Sequence, residues 1–294
     1  MLQGASNAAL ASPAPPSIDA VIDRIVEIST LPQIAVKVME IARDPNAGAA
    51  DLKRVVEADP ALSGRVLRSI NSAAYGLRAK ITNLHHAISY LGFSEIRNLA
   101  MTASVAKVFK TGEAIGHYRR DMLWRHMVSV GLCARLIATR CKLANFEDCF
   151  LAGLLHDIGI ILEDQHVHQP FCRVIQSLDG STPLCEVERN TLGFDHTTLG
   201  SRIAEKWHFP PVVRAAIRFH HMSQQYRGED AGPIRCVEVA NLICTLKGTP
   251  SVGRKLVKAP VHAFQVLNLS KEDIVVLASD LDREVSLNEG LFEL

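Results

Sequence analysis

The 294-residue sequence predicts an all-α protein, and three observations predict it. Apolar residues recur three and four positions apart along most of the chain, the period at which a helix presents one face. No stretch shows the apolar/polar alternation of a strand. Hydrophobic residues make up 48% but aromatics only 5%, so the core is built from Ala, Leu, Val and Ile, which favour helices packed through aliphatic side chains.

The elements follow in order. Residues 1–16, rich in Ala, Ser and Pro, read as a disordered tail, with neither the basic region nor the apolar run of a signal peptide. SIDAVIDRIVEI places Ile18, Val21, Ile22, Ile25 and Val26 at helical spacing. LPQIAVKVMEIARDP puts Ile34, Val38 and Ile41 on one stripe, with Pro32 in the first turn and Asp44-Pro45 as the stop. DLKRVVEADP is a short amphipathic helix ended by Asp59-Pro60, and the same pair starts the next: Asp59 as N-cap, Pro60 in the first turn. ALSGRVLRSINSAAYG closes at Gly76, and HHAISYLGFSEIRNLAMTASVAKVF gives two helices broken near Gly92. Helical patterns then cover roughly 121–141, 146–159, 168–178, 183–192, 196–208, 211–224, 233–246 and 271–285, the last opening with a capping box from Ser270 to Asp273. The basic, Gly- and Pro-punctuated stretch 247–260 reads as a loop, and no repeat of fixed period appears. The polar segment TGEAIGHYRR, 111–120, is a weak boundary between an N-terminal helical bundle and a second one.

Charge narrows the function. With 32 basic and 31 acidic residues the net charge is +1, which argues against a nucleic-acid partner. Arg65, Arg68, Arg78 and Lys80 form at most a local patch, more simply a solvated face. The seven cysteines are scattered without a CxxC, as expected of free thiols in a reducing cytoplasm. No stretch has the apolar length to span a membrane.

The histidines share a pattern. His126 falls on a stripe with Val130, Cys133 and Ile137, and His196 on one with Leu199, Ile203 and Trp207. His220 and His221 follow Val213 and Ile217 at helical steps, and His156-Asp157 closes the apolar run FLAGLL just before Gly159. Asn241 lies with Val237 and Cys244. Taken singly, each reads as an ordinary core or surface residue. Together, five helical segments aim ligand-capable side chains inward, where polar groups are costly unless something satisfies them. A divalent metal of the Fe, Mn or Zn class does so, and two ions bridged by Asp157 explain why so many histidines converge. His85, His86, His117, His166, His168, His208 and His262 lack the pattern and take surface or capping roles.

The order H…HD…H…HH in a helical chain resembles the HD superfamily of metal-dependent phosphohydrolases, with spacing closest to its cyclic-dinucleotide-cleaving HD-GYP branch. A wider resemblance, over roughly 20–285, is to the HDOD family, a non-canonical relative. It rests on LPQIAVKVMEIARDP, VVEADPALSGRVLRSINSAAYG, ITNLHHAISYLGFSEIRNLAM, DMLWRHMVSVGLCARLIA, FLAGLLHDIGIIL, DHTTLGSRIAEKWHFPPVVRAAIRFHH and VEVANLI. The resemblance implies an N-terminal helical bundle, 17–110, packed on a C-terminal HD-like bundle, 111–294. It places His126, His156, Asp157, His196, His220 and His221 on metal-ligand positions.

Three departures weigh against turnover. Asn241 stands where the pattern has Asp and loses its charge. Ile160 stands where HD-GYP proteins carry a phosphate-positioning Lys, and Met222 where they carry Glu; SQQYRGEDAGP offers no GYP-like loop. Phosphodiester hydrolysis needs an activated water and positive charge for the non-bridging oxygens. The resemblance therefore implies a bacterial signal-transduction protein with no attached sensor, receiver or cyclase domain, acting through protein partners and keeping a site for one or two ions. The alternative is an active phosphohydrolase acting on a cyclic dinucleotide or another nucleotide phosphodiester, with Asp157 as its catalytic residue.

Overall fold

The structure, a computed structural model, describes residues 16–28, 31–44, 46–253 and 258–294. The tail expected over 1–16 lies, but for its last residue, outside the described residues, as do Pro45 and part of the loop expected over 247–260.

The N-terminal helices are α1 (Ile18–Ile28), α2 (Gln33–Arg43), α3 (Ala49–Glu57), α4 (Pro60–Ile70), α5 (Leu84–Leu91) and α6 (Phe93–Val105). Their starts are chemically marked. The Asp59 carboxylate accepts from the Ala61 and Leu62 amides at 2.9 and 3.0 Å, capping α4 as the Asp-Pro pair predicts. Asn83 accepts from the His86 amide at 2.9 Å and caps α5. The segment expected to run to Gly76 as one helix instead ends at Ile70 and adds a short 3-10 turn, Ala73–Tyr75. The Asn71 amide group donates to the Leu67 and Ile81 carbonyls, tying off α4 before Gly76 turns the chain at φ 55°.

The second part comprises α7 (Arg120–Arg140), α8 (Phe146–Leu155), α9 (Ile158–His166), α10 (His168–Gln176), α11 (Leu184–Leu192), α12 (His196–Lys206), α13 (Pro211–Phe219), α14 (Gly232–Leu246), α15 (Val261–Val266) and α16 (Lys271–Leu287). The capping box of Ser270 and Asp273 opens α16 as expected. Among the described residues there is no strand, only one isolated bridge from Ile115 to Tyr118. The expected fold class, all-α, is what the structure has.

Two helices depart from expectation for one reason. A helix over 146–159 was expected, but α8 stops at Leu155 and α9 begins at Ile158, running on through residues expected to be irregular. The His156 ring donates from Nδ1 to the Gly153 carbonyl at 2.7 Å. That carbonyl is the one the Asp157 amide would need to continue the helix. Likewise α13, expected to reach 224, ends at Phe219, where the His220 ring reaches the Ala216 and Ile217 carbonyls at 3.2 and 3.1 Å. The Ala216 carbonyl still accepts from the His220 amide at 3.0 Å, so at α13 the ring takes the place of a backbone donor only at Ile217, as the His156 ring does at Gly153.

One hydrophobic cluster runs from Val21 to Leu291. Helix α7 is central: α8, α14 and α16 pack on it. Gly131 and Gly153 let α7 and α8 approach backbone to backbone, since a Cβ on Gly153 would stand 2.8 Å from Gly131 Cα. Helix α12 packs on α9 and α13, α1 lies across α9 and α12, and α6 joins α2 and α4 to α8. The last 3-10 turn, Glu289–Phe292, returns to α4, α6 and α7. Among the described residues no helix is long and apolar enough to cross a membrane.

Candidate metal centre

The ligand-type residues come from elements that the fold brings to one point. His126 projects from α7, His156 and Asp157 form the α8–α9 junction, His196 begins α12, and His220 and His221 follow α13. His126, His156, Asp157, His196 and His220 are buried and His221 is half-buried. Gly159 presses the start of α9 against the His196 backbone, which fixes Asp157 relative to α12.

Hydrogen bonds determine which ring nitrogen faces inward. His126 Nδ1 lies 2.6 Å from the Thr249 carbonyl, His156 Nδ1 2.7 Å from that of Gly153, and His196 Nδ1 2.7 Å from the Glu188 carboxylate. His220 Nδ1 meets two carbonyls. Carbonyls and carboxylates only accept, so Nδ1 carries a proton on each ring, and wherever the ring is neutral Nε2 offers its lone pair to the interior.

The Nε2 atoms approach Asp157 from two sides. His126 and His156 place Nε2 at 3.6 and 3.2 Å from Oδ2; His196 and His220 place theirs at 3.5 and 3.2 Å from Oδ1. His221 Nε2 stands 3.2 Å from His196 Nε2. The donor atoms thus form two groups that share Asp157: His126 and His156 with one oxygen, His196, His220 and His221 with the other.

Acceptor nitrogens facing a carboxylate repel it unless a cation or proton lies between them. His126 Nε2, His156 Nε2, His220 Nε2 and Asp157 Oδ1 are buried and have no hydrogen-bond partner. An unsatisfied buried polar atom costs on the order of 1–3 kcal/mol, so a cluster of them needs an occupant. Two atoms about 2.1 Å from one ion at a tetrahedral angle lie about 3.4 Å apart, close to the separations around Asp157. The donor set therefore fits a divalent metal ion, with imidazole and carboxylate donors of the kind borderline metals take.

Electrostatics agree. Burial, aided by His156, pushes His126 down to about 4, and burial pushes His220 down to about 4 against the pull of Asp157. Burial with His220 and His196 holds His221 well below its usual value. These rings are neutral ligands at pH 7. Burial opposes the Asp157 charge, but positive charge at the adjoining His156 and His220 rings favours it, and the carboxyl is held well below the usual range. His196 differs: burial disfavours its charge, yet the adjoining Glu188 raises it well above the ordinary value.

Glu188 was not anticipated. Fully buried, it accepts from both the ring and the backbone amide of His196, holding that ligand from behind. Glu163 stands beside it, its two carboxylate oxygens without partners, and burial with the Glu188 charge keeps it protonated. A signal was present: Leu184, Glu188 and Leu192 fall on one helical stripe, as do Ile160, Glu163 and Val167.

A pocket of about 220 Å³ reaches the cluster from outside. His220, His221, Met222, Asn241 and Thr245 lie along it, with Cys185, Arg189 and Lys258. Asn241 is buried on this wall, and its Oδ1 stands 3.5 Å from the Thr245 hydroxyl. Ile160 is fully buried within the apolar cluster.

Comparison with known proteins adds kinship. The model of the HDOD domain matches residues 28–223. An uncharacterized protein of Treponema pallidum (strain Nichols) is 23% identical over 224 residues, 76% of this chain and 43% of its own length, so the chain spans less than half of that relative. Among solved structures, an HDOD domain protein with unknown function from Geobacter sulfurreducens shares 23% identity at a TM-score of 0.74, over 94% of this chain and 99% of its own. A candidate signal transduction protein from Marinobacter aquaeolei VT8 shares 24% at 0.73, over 93% and 63%. A candidate metal-dependent phosphohydrolase from Shewanella amazonensis SB2B shares 19% at 0.61, over 94% and 98%. At these identities the likeness to the solved structures is one of fold.

Proposed function

The chain belongs to the HDOD domain family, and on that premise we propose that it is a regulatory protein of bacterial signal transduction, acting through protein partners and holding metal in its histidine cluster without hydrolytic turnover. One observation carries the reading: inward-facing Nε2 atoms of five histidines gather around Asp157, while the residue after the HDIG turn, Ile160, puts a hydrocarbon chain into the core instead of a cation into the pocket. Asn241 and Met222 on the pocket wall, where carboxylates would strengthen a metal clamp, support the same conclusion.

His126, His156, Asp157, His196, His220 and His221 are the proposed ligands for one or two ions of the Fe, Mn or Zn class, with Asn241 as a weak neutral donor. When bound, such ions supply positive charge and Lewis acidity. The chain's own residues fix the donor geometry: carbonyls of Gly153, Ala216, Ile217 and Thr249 and the Glu188 carboxylate each hold a ring in place. Residues 17–110 are proposed as the partner-facing bundle, and seven free thiols suit a cytoplasmic setting.

A second reading, an active phosphohydrolase, is favoured by Arg189 and Lys258. They bring positive charge to the pocket wall from positions other than 160. Metal content of untagged protein, beside the His156→Ala, Asp157→Ala double variant, tests the site. Near-stoichiometric metal in wild type and none in the folded variant is expected. The loaded wild type is then offered a chromogenic phosphodiester and a cyclic dinucleotide. Release no faster than from the double variant is the expected result; metal-dependent release abolished in the variant replaces the regulatory reading with the enzymatic one.

A further inference from the structure

A second group of reactive side chains lies apart from the histidine cluster. Asp164, His168 and Cys172 succeed one another at four-residue steps along α9 and α10, one helical turn apart. Asp164 is 1% exposed, and its Oδ2 accepts from the Tyr118 hydroxyl at 3.0 Å and from Arg120 Nε at 2.6 Å. Its Oδ1 faces His168 Nδ1 at 2.9 Å, and the Asp164 carbonyl faces the same nitrogen at 3.1 Å. Both neighbours only accept, so Nδ1 carries the proton and Nε2 the lone pair. That lone pair faces Cys172 Sγ at 3.6 Å.

The order is therefore thiol, imidazole base, and a buried carboxylate that sets the tautomer of the base and stabilises its protonated form. The other histidine-facing thiol is arranged the opposite way. Cys185 Sγ lies 3.9 Å from His196, but from Nδ1, whose proton is committed to Glu188. That nitrogen cannot take a proton. Cys133, Cys149, Cys236 and Cys244 are buried, while Cys172 is half-buried beside a His168 ring that is 47% exposed.

We propose that Cys172 is a modification site, a base-assisted thiol that reacts with hydroperoxides to form a sulfenic acid. His168 Nε2 takes the thiol proton as sulfur attacks the terminal hydroxyl oxygen of the hydroperoxide. The S–O bond forms and the O–O bond breaks; sulfur loses two electrons to the peroxide. The leaving alkoxide, or hydroxide from hydrogen peroxide, takes the proton back from Nε2 and departs as alcohol or water. Burial, with the Asp164 charge second, pushes the Cys172 thiol up, so the resting group is the protonated thiol and the base does the activating.

The test treats the full chain with hydrogen peroxide, traps sulfenic acid with dimedone, and locates the adduct by peptide mass spectrometry in wild type, His168→Gln and Cys172→Ser. Cys172 is expected to be trapped first, and His168→Gln to slow its trapping by about tenfold or more. Equal rates in wild type and His168→Gln, or earlier trapping at Cys141 or Cys185, overturn the proposal. The wild-type pH–rate profile decides independently of any variant. Trapping that is already fast well below the free-thiol value of about 8.5 supports base assistance, and a rate that rises only at or above that value refutes it.

Discussion

The α-carbon of Gly159 rests against the backbone carbonyl of His196, leaving no room for a Cβ between α9 and α12. This contact joins the HD turn to the helix that supplies the next histidine. Gly200 continues it from the other side, where a Cβ would stand 3.1 Å from the Gly159 amide nitrogen.

Gly159→Ala should therefore destabilise the protein although alanine is the better helix former. Overpacking of this kind costs on the order of 1–3 kcal/mol, and the obstacle here is backbone that has no rotamer to change. Urea unfolding measures it. An unchanged or raised midpoint would show that the two helices separate at no cost.

Glu188→Gln should loosen metal retention without unfolding the chain. The amide keeps a hydrogen-bonding oxygen but loses the charge that holds His196 in orientation. Loss of such a supporting carboxylate lowers affinity by about 10–100-fold. Competition against a chelator, on the metal-loaded protein, gives the number; equal retention in both proteins would leave Glu188 no part in the site.

The contribution of Glu147 to stability should fall as pH rises toward neutrality. Burial, with the nearby Glu95 charge, pushes this carboxyl up to about 7. Glu95 keeps its charge despite burial because Arg135 stands 3.1 Å away. Between about 4.3 and 7 the native state thus binds a proton that the unfolded state lacks. The stabilisation is complete below the unfolded value and is lost as pH rises through the folded one. The unfolding midpoint of wild type relative to that of Glu147→Gln should decline between pH 5 and pH 8; parallel curves would remove Glu147 as a contributor.

Much of this architecture was legible because helix periodicity and burial obey the same geometry. The Asp59-Pro60 cap, the break at Gly92 and the inward stripes of His126 and His196 are local patterns, and local patterns survive in a sequence. The interruptions at His156 and His220 were not legible. Each depends on a side chain competing with backbone for a carbonyl, and the residue types permit either outcome. Helix α9 escaped because IGIIL follows His156-Asp157, a pair that reads as a helix end. Glu188 and Glu163 were missed, although each occupies an apolar stripe, which is how a buried carboxylate announces itself before its partner is known. Arg189 and Lys258 reach the pocket from segments far apart in sequence, and no spacing connects them.

The return of Glu289–Phe292 to α4, α6 and α7 bears on how the molecule is made. Leu291 is buried in the cluster that begins at Val21. During synthesis at about 5–20 residues per second, α4 and α6 must wait for residues 289–292, made well after them, before their cover is in place. Contacts of such long sequence separation slow folding, and until they close the apolar faces of α4 and α6 stay open to other unfinished chains. A chain that stalls or is cut near residue 288 would retain every proposed metal ligand and still leave these faces of α4 and α6 uncovered.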